Sequence, residues 1–195
     1  MMNTQIFTDV YYARLPAVLG RRSVYPPERQ DYILQASNEK VARQRYYVWI
    51  LLERAVELSL GKSLADIQLS RTKQGRWISP AVFFSLSHGE NAVAVAVSNA
   101  PIGVDIQAEI QKKADFFLTK EERTAYETAT DKVWFLTELW TKKESIFKKT
   151  NGTRFDPKRL CANEHFTQTQ AIAIDGKRYA LSVTSPIRTL QEIQL

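Results

Sequence analysis

The sequence has little of what a disulfide framework, a zinc site or a membrane span requires. Its 195 residues include one cysteine, Cys161, and two histidines. One thiol excludes an internal disulfide and is typical of a reducing cytoplasm, and so few thiol and imidazole ligands argue against a zinc site. No segment reaches the roughly 18 consecutive apolar residues of a membrane helix. Residues 1–15 lack a basic leader followed by an apolar stretch, so we expect no secretory signal and a cytoplasmic protein.

What the sequence does contain is a globular composition with an excess of positive charge. Apolar residues make up 44% of the chain, with four Trp, eight Tyr and nine Phe. This length allows one domain or two small ones. The net charge of +6 predicts a negatively charged partner or substrate. Nucleic acids, acidic proteins and polyphosphate ligands all satisfy that condition, and net charge does not choose among them.

The stretch 134–149, WFLTELWTKKESIFKK, is predicted to be the central helix. Its apolar residues recur at helical spacing, so one face is expected to pack on a core. Trp140, Glu144 and Lys148 follow one another at i, i+4 and i+8, which places them on one stripe of that helix. The alternative is an ordinary surface Glu–Lys pair beside a core Trp, worth a few tenths of a kcal/mol.

A second informative segment, PIGVDIQ at residues 101–107, follows a run of small apolar β-formers. The segments VAVAV and IGVDI, joined by the turn SNAP, predict a buried hairpin over residues 93–106. Strand alternation would then place Asp105 and Gln107 on one face, with Val104 and Ile106 on the other. Two oxygen-bearing side chains are thus expected to leave the same side of one strand.

The motif GVDIQ, followed further along the chain by WTKKESIFK, resembles the paired signature of the 4′-phosphopantetheinyl transferases, G(I/V)D and WxxKExxxK. Two other segments, FSLSH at 84–88 and FFLTKEE at 116–122, resemble further segments of the larger, surfactin-type branch of that family. The fixed positions of the second motif are filled by Trp140, Lys143, Glu144 and Lys148. The resemblance spans residues 76–152; it is loose before that stretch and nearly absent after it.

The resemblance implies an α+β fold made of two similar α/β halves related by a pseudo-twofold axis. The halves would be residues 1–99 and 100–195, with the active site between them. Because the short branch of the family trimerises to build its sites, a chain of this length is expected to act as a monomer. It would be an enzyme that moves 4′-phosphopantetheine from coenzyme A to a serine of an apo acyl, peptidyl or polyketide carrier protein, releasing adenosine 3′,5′-bisphosphate.

The same resemblance implies the residues of a magnesium-dependent site. Asp105, Gln107 and Glu144 would hold Mg²⁺, since carboxylate and amide oxygens suit that ion. Glu144 would also take the proton of the serine, and Lys148 would balance charge on the leaving phosphate. Lys143 would brace the site, against Asp105. The family has an acid where Gln107 stands, so the metal is expected to be held less tightly here.

Basic residues of the first half are implied as the coenzyme A clamp. The sequence predicts a helix that begins after the cap Ser37-Asn38-Glu39, ends before Gly61 and carries arginines on its exposed side. Arg45 best matches the family's 3′-phosphate ligand, and Arg29 is a weaker match. Tyr32 stands where the family has Lys, a gap that Arg43 or Lys40 would fill. The alternative is a solvated face.

Three further residues are implied as ligands of the phosphates. Arg76, in a turn where the family has Gly-Lys-Pro, would contact phosphate, and Ser87 and His88 would hydrogen-bond the diphosphate. The alternatives are a free turn arginine and a structural histidine. A basic face of Lys142, Lys149 and Arg154 would attract the acidic helix of a carrier protein.

Two other functions remain open at this point. The chain would be a catalytically weak relative that binds coenzyme A or carrier protein if Gln107 and the incomplete clamp prevent transfer. It would be an RNA-binding module if Tyr46, Tyr47 and nearby arginines were exposed for base stacking. Tyr46 and Trp49 occur at core spacing, which argues against nucleic acid.

Overall fold

The computed structural model of the chain describes residues 6–110, 116–150 and 152–195, and within them it is a mixed α+β fold, as expected. The helices are α1 (Pro27–Leu34), α2 (Glu39–Leu60), α3 (Lys120–Thr128) and α4 (Lys132–Thr150). The strands are β1 (Thr8–Arg14), β2 (Ser70–Arg71), β3 (Trp77–Ile78), β4 (Phe83–His88), β5 (Ala92–Ser98), β6 (Val104–Ala108), β7 (Gln168–Ile174), β8 (Lys177–Val183) and β9 (Thr189–Glu192). None of the helices in the described part of the chain combines the length and the apolar character that a membrane crossing requires.

Helix α2 begins and ends where its capping residues predict. The side chain of Asn38 accepts a hydrogen bond from the amide of Val41, which satisfies one of the free N–H groups of the first turn. At the other end Gly61 has a φ of 64°, the left-handed conformation that glycine adopts without steric cost. Tyr46 and Trp49 are buried in the helix face that covers the first sheet, so they are core residues rather than exposed platforms for bases.

The first sheet has the strand order β4-β5-β1-β9. Strand β5 pairs antiparallel with both β1 and β4, whereas β9, from the end of the chain, lies parallel to β1. Arg188 forms a bidentate pair with the carboxylate of Asp9, which is buried, and so holds β9 at the sheet edge. The last strand therefore completes a sheet made mainly by the first half of the chain.

The second sheet has the order β6-β8-β7 and is antiparallel throughout. The β7–β8 hairpin turns at Asp175 and Gly176, whose φ angles of 52° and 73° are both positive, as a type I′ turn requires. The segment AIAIDGKRYALSVTS, residues 171–185, predicts a hairpin with a type I′ turn at its Asp-Gly step, and the structure confirms it.

The hairpin predicted over residues 93–106 is wrong. Strand β5 pairs within the first sheet, while β6 leaves that sheet and pairs with β8. Every residue of β5 is buried, because α2 covers one of its faces and the second sheet covers the other. Alternation and a turn sequence do not distinguish two strands of one sheet from two strands stacked face to face in different sheets.

The molecule is layered in the order α2, first sheet, second sheet and α4. Small side chains of β5 at Ala92, Ala94 and Ala96 lie against apolar residues of β6 and β8 in one shared core. On the far side of the second sheet, Thr141 of α4 hydrogen-bonds Ser182 of β8 at 2.8 Å. Strand β6 therefore lies between the first sheet and α4. The predicted metal and catalytic residues lie on this strand and on α4.

Candidate active site

Helix α4 presents the predicted catalytic stripe. The carboxylate of Asp131 caps its first turn by accepting a hydrogen bond from the amide of Trp134 at 2.9 Å. Trp140 packs edge-on against the ring of Phe117, with ring centroids 5.3 Å apart. Glu144 and Lys148 are half-buried one and two turns further on, so the stripe lies at the border of the core rather than on an open surface.

Asp105 is the most constrained carboxylate of the site. Its residue is 1% exposed, and its Oδ1 accepts hydrogen bonds from the Ser87 hydroxyl at 2.6 Å and from the Lys148 ammonium at 2.7 Å. Its other oxygen, Oδ2, is buried and has no hydrogen-bond partner among the described residues. A buried acceptor without a donor costs about 1–3 kcal/mol, so this oxygen is poised for a cation or a donor from a ligand.

The two serines of β4 hold the free edge of β6. The Ser85 hydroxyl accepts from the amide of Val104 at 3.0 Å, and the Ser87 hydroxyl accepts from the amide of Ile106 at 3.2 Å. These amides point away from β8, so the serines supply partners that the sheet does not. Ser87, which the resemblance predicts to bind the diphosphate, is buried and donates a hydrogen bond to Asp105.

Lys148 contacts β6 of the second sheet through its side chain and Arg76 through its backbone. Its ammonium donates to the carbonyl of Val104 at 3.0 Å as well as to Asp105. Its own carbonyl accepts from the guanidinium of Arg76 at 2.5 Å, so the predicted phosphate ligand Arg76 lies at the C-terminal turn of α4. Burial lowers the pKa of Arg76 from its ordinary value. The structure therefore brings Asp105, Lys148 and Arg76 together, although they come from three separate segments.

The predicted contact between Lys143 and Asp105 is wrong. The Lys143 ammonium is fully buried and lies 2.6 Å from Glu122, at the start of α3. It also donates to the carbonyls of Phe117 and Pro157, both at 2.7 Å. Because Lys143 lies five residues before Lys148, its side chain points to another face of α4. It therefore braces the packing of α3 and α4, while Lys148 is the lysine that reaches Asp105.

His88 lies at the end of β4 between two groups of charges. The residue is exposed, yet protein atoms crowd around the ring, and this desolvation lowers the pKa of His88. The positive charges of Lys148 and Arg29 also lower the pKa of His88, whereas the carboxylate of Asp105 and a backbone hydrogen bond raise it. The imidazole is therefore neutral near pH 7 and able to donate one hydrogen bond.

A cluster of arginines and aromatic rings lies on the other side of His88. Arg29 is 5% exposed, with its guanidinium carbon 4.6 Å from the ring centroid of Trp49 and 5.0 Å from that of Tyr32. Arg45 stacks on the same Tyr32 ring at 3.9 Å and donates to the Tyr32 carbonyl at 2.7 Å. Tyr32, where the family has Lys, thus serves as a platform for two guanidinium groups.

Within the described ranges, no carboxylate forms an ion pair with Arg29, Arg45 or Arg71. Arg29, Arg45 and the nearby Arg71 each donate to a backbone carbonyl oxygen. The Nε of Arg29 is buried and finds no acceptor in the described part of the chain. Burial, together with the like charges of Arg45 and Arg71, lowers the pKa of Arg29 to about 10. Such a cluster favours binding of a multiply charged anion.

Two adjoining cavities, of about 230 and 450 Å³, form a cleft beside these groups. Both are lined by Arg76, Trp77, Phe84 and Lys148. A larger cavity, of about 640 Å³, lies at the C-terminal end of α2 and contains none of the predicted site residues. We assign the candidate site to the smaller cleft because Arg76 and Lys148 line it and Lys148 pairs with the carboxylate of Asp105.

The predicted metal ligands are oxygen atoms of carboxylates and an amide, the kind of ligand that a hard divalent ion prefers. Within the described residues there is no group of three or more His, Cys, Asp and Glu that would hold a metal, so the protein would supply few charged ligands. That is how proteins commonly hold Mg²⁺, with one or two carboxylates, substrate phosphates and water. Asp105 Oδ2 is available to such an ion, and β6 places the half-buried Gln107 on the same strand face.

Sequence patterns missed two features of the site. The Ser87 contact to Asp105 and the Lys143–Glu122 pair join residues that are far apart in sequence. No local spacing indicates which carboxylate a given lysine will meet. For the Lys143–Glu122 pair the sequence held one local indication. The capping pattern of Thr119 and Glu122 places Glu122 on the buried side of the first turn of α3, where a carboxylate needs a partner.

The chain thus has a mixed α+β fold in which a buried carboxylate, that of Asp105, pairs with a lysine and acts electrostatically on a neighbouring histidine. Residues 101–188 match the sequence model of the 4′-phosphopantetheinyl transferase superfamily. The matched segment contains β6, α3, α4, β7 and β8, and therefore Asp105, Glu144 and Lys148. No curated protein matches the chain.

Proposed function

We propose that the protein transfers 4′-phosphopantetheine from coenzyme A to a serine hydroxyl of an apo acyl, peptidyl or polyketide carrier protein. The observation that carries this proposal is the Asp105–Lys148 pair, with one carboxylate oxygen open, inside the segment similar to the transferase superfamily. Arg29, whose charge acts on His88, and Arg45, which stacks on Tyr32, add positive charge that suits a ligand with several phosphates. The reaction class is phosphoryl transfer without a covalent enzyme intermediate.

In this reaction the carrier serine oxygen attacks the β-phosphorus of coenzyme A. The bond from that phosphorus to the bridging oxygen breaks, and adenosine 3′,5′-bisphosphate leaves. Glu144 accepts the serine proton, and the ammonium of Lys148 moves from Asp105 to balance charge on the leaving phosphate. A bound Mg²⁺, held by Asp105, Glu144 and Gln107, would neutralise charge on the diphosphate. The net result is one phosphodiester on the carrier.

The basic groups bind and orient coenzyme A. Arg45 and Arg29 grip the 3′-phosphate, a task for which the planar guanidinium is suited because it can reach two oxygens at once. His88 donates a hydrogen bond to the diphosphate. Arg76, whose guanidinium already lies at the end of α4 and lines the cleft, contacts the phosphates.

The remaining parts of the proposal concern the assembly. We place the two similar halves at residues 1–99 and 100–195, with the cleft between them and the chain acting as a cytoplasmic monomer. The basic residues Lys142, Lys149 and Arg154 near the cleft would attract the acidic helix of a carrier protein. Charge complementarity of this kind raises the rate of encounter more than the affinity.

The test is to incubate the full chain with Mg²⁺, coenzyme A and an apo carrier protein and to measure the intact mass of the carrier. We expect a gain of about 340 Da, one phosphopantetheine group per carrier. A carrier whose acceptor serine is replaced by alanine should gain nothing. Asp105→Asn should abolish the gain, and Lys177→Ala, in an exposed pair with Glu90, should leave it unchanged.

A second function, binding of coenzyme A or carrier protein without efficient transfer, is favoured by Gln107, which brings no charge to the metal. It predicts binding of coenzyme A by calorimetry with no mass gain on any of several carriers. Mass gain at a rate proportional to enzyme concentration would exclude it.

A further inference from the structure

We propose that Ser87 is a positioning residue that orients Asp105 and keeps one of its oxygens open for the divalent ion. This inference rests on the proposed function, because it assigns a task to Asp105 in that reaction. Ser87 was expected to contact the diphosphate of coenzyme A. Its burial, at 4% exposed, and its contacts give it a different role.

The Ser87 hydroxyl has both a fixed donor and a fixed acceptor. It accepts from the amide of Ile106 at 3.2 Å, and its one hydrogen is donated to Oδ1 of Asp105 at 2.6 Å. Because the amide determines where the hydroxyl lone pairs point, it also determines the direction in which the hydrogen is donated. Ser87 thus connects the orientation of the Asp105 carboxylate to the backbone of the strand that carries it.

Both donors to Asp105 use the same oxygen. Ser87 and Lys148 each donate to Oδ1, and Oδ2 is left buried without a partner among the described residues. In the proposed reaction Lys148 moves to the leaving phosphate, so Ser87 becomes the side chain that still holds Oδ1. Without it the carboxylate is free to rotate about its terminal bond, and the open oxygen loses its fixed direction.

Ser85 provides a matched control on the same strand. It is also buried, at 5% exposed, and its hydroxyl accepts from the neighbouring amide of β6, that of Val104, at 3.0 Å. Ser85→Ala therefore removes the same kind of bridge between β4 and β6 without touching Asp105. Any loss of metal binding in Ser87→Ala beyond that in Ser85→Ala is therefore due to the changed orientation of the Asp105 carboxylate.

The experiment measures Mn²⁺ binding to the full chain by the loss of the free-ion EPR signal, with coenzyme A present and absent. We expect Ser87→Ala to raise the Mn²⁺ dissociation constant at least about tenfold, the usual cost of losing a residue that orients a metal ligand. Ser85→Ala should change it less than about twofold, although both variants lose similar stability to urea. Ser87→Thr, which keeps the hydroxyl, should restore binding.

The outcomes separate this inference from the proposed function. Equal Mn²⁺ constants for Ser87→Ala and Ser85→Ala overturn the positioning role, even if the wild-type protein modifies a carrier normally. Wild-type protein that binds Mn²⁺ but modifies no carrier overturns the proposed function, and the same comparison of the two serines then supports or overturns the positioning role. Wild-type protein that binds no Mn²⁺ overturns the positioning role.

Discussion

Gly103, immediately before β6, and Ser145 on α4 are in direct backbone contact. A Cβ atom on Gly103 would lie 1.8 Å from the carbonyl oxygen of Ser145 and 2.8 Å from the amide nitrogen of Lys149. Neither neighbour belongs to a side chain that could rotate away. Glycine is therefore the residue that allows strand and helix to approach closely, and this approach brings Asp105 within hydrogen-bond distance of Lys148.

Gly103→Ala should be severely destabilising, because the added methyl group overlaps main-chain atoms on α4. We expect the free energy of unfolding to fall by about 3 kcal/mol or more, the upper end of the usual cost of overpacking. Urea unfolding followed by tryptophan fluorescence measures this. Gly61→Ala is the control: it meets no atom within 4 Å and costs only the left-handed backbone, about 1–2 kcal/mol. Equal losses would show that β6 and α4 can separate without cost.

Lys143→Met should destabilise the fold more than the loss of a surface ion pair does. The substitution leaves the carboxylate of Glu122 buried with no cation, which costs about 3–5 kcal/mol. Lys177→Met, which removes an exposed pair with Glu90, should cost at most about 1 kcal/mol. Adding Glu122→Gln to Lys143→Met should recover part of the loss. A single variant as stable as Lys177→Met would contradict the buried ion pair.

Glu144→Ala and Lys148→Ala should each reduce turnover at least about 100-fold, the usual effect of removing an acid or base partner. Carrier modification at saturating coenzyme A measures this, and circular dichroism checks that the fold persists. Glu138→Ala, on another face of α4, should retain turnover within about threefold. Near-normal turnover of either variant would rule out the role assigned to that residue.

Gln107→Glu should lower the Mg²⁺ concentration needed for half-maximal activity. A third carboxylate near the ion adds charge where the amide supplies only a dipole, so the ion is held more tightly. Titration of activity with Mg²⁺ at fixed coenzyme A measures the change, with Gln68→Glu, at an exposed position of the first half, as a control for net charge. Coincident titrations of Gln107→Glu and wild type would place Gln107 away from the ion.

Affinity for coenzyme A should rise as the pH falls from 8 towards 6, because of His88. In the free protein desolvation lowers the pKa of His88, and the charge of Lys148 adds to this effect. A bound diphosphate favours the imidazolium, so the pKa of His88 in the complex is higher than in the free protein and binding takes up a proton. Affinity then increases as the pH drops through the pKa of the complex and levels off below that of the free protein.

Calorimetry across this pH range tests whether the affinity for coenzyme A rises as the pH falls. His88→Gln should flatten the dependence and leave only the titration of the phosphates of coenzyme A itself. Proton uptake on binding, measured in two buffers of different ionisation enthalpy, should disappear in the same variant. An unchanged pH profile would show that His88 does not contact the diphosphate.

Local structure followed largely from local sequence. The caps of α2 at Asn38 and Gly61, the Asp175-Gly176 turn and the alternation of β6 were all correctly predicted. Each depends on dihedral preferences or hydrogen bonds within a few residues. The pairing of β5 was not correctly predicted, because strands that pair and strands that stack show the same alternation.

The sequence by itself determined the two ends of α2, the helix α4 and the β7–β8 hairpin, together with the acids at 105 and 144 and the lysines at 143 and 148. Only the tertiary structure decided which lysine meets which acid, and that the Ser87 hydroxyl donates to Asp105. The physical reason is the separation along the chain over which each kind of interaction acts. Propensities and caps act within one or two turns of chain, whereas these contacts depend on how two sheets and a helix pack, and that packing is a property of the whole chain.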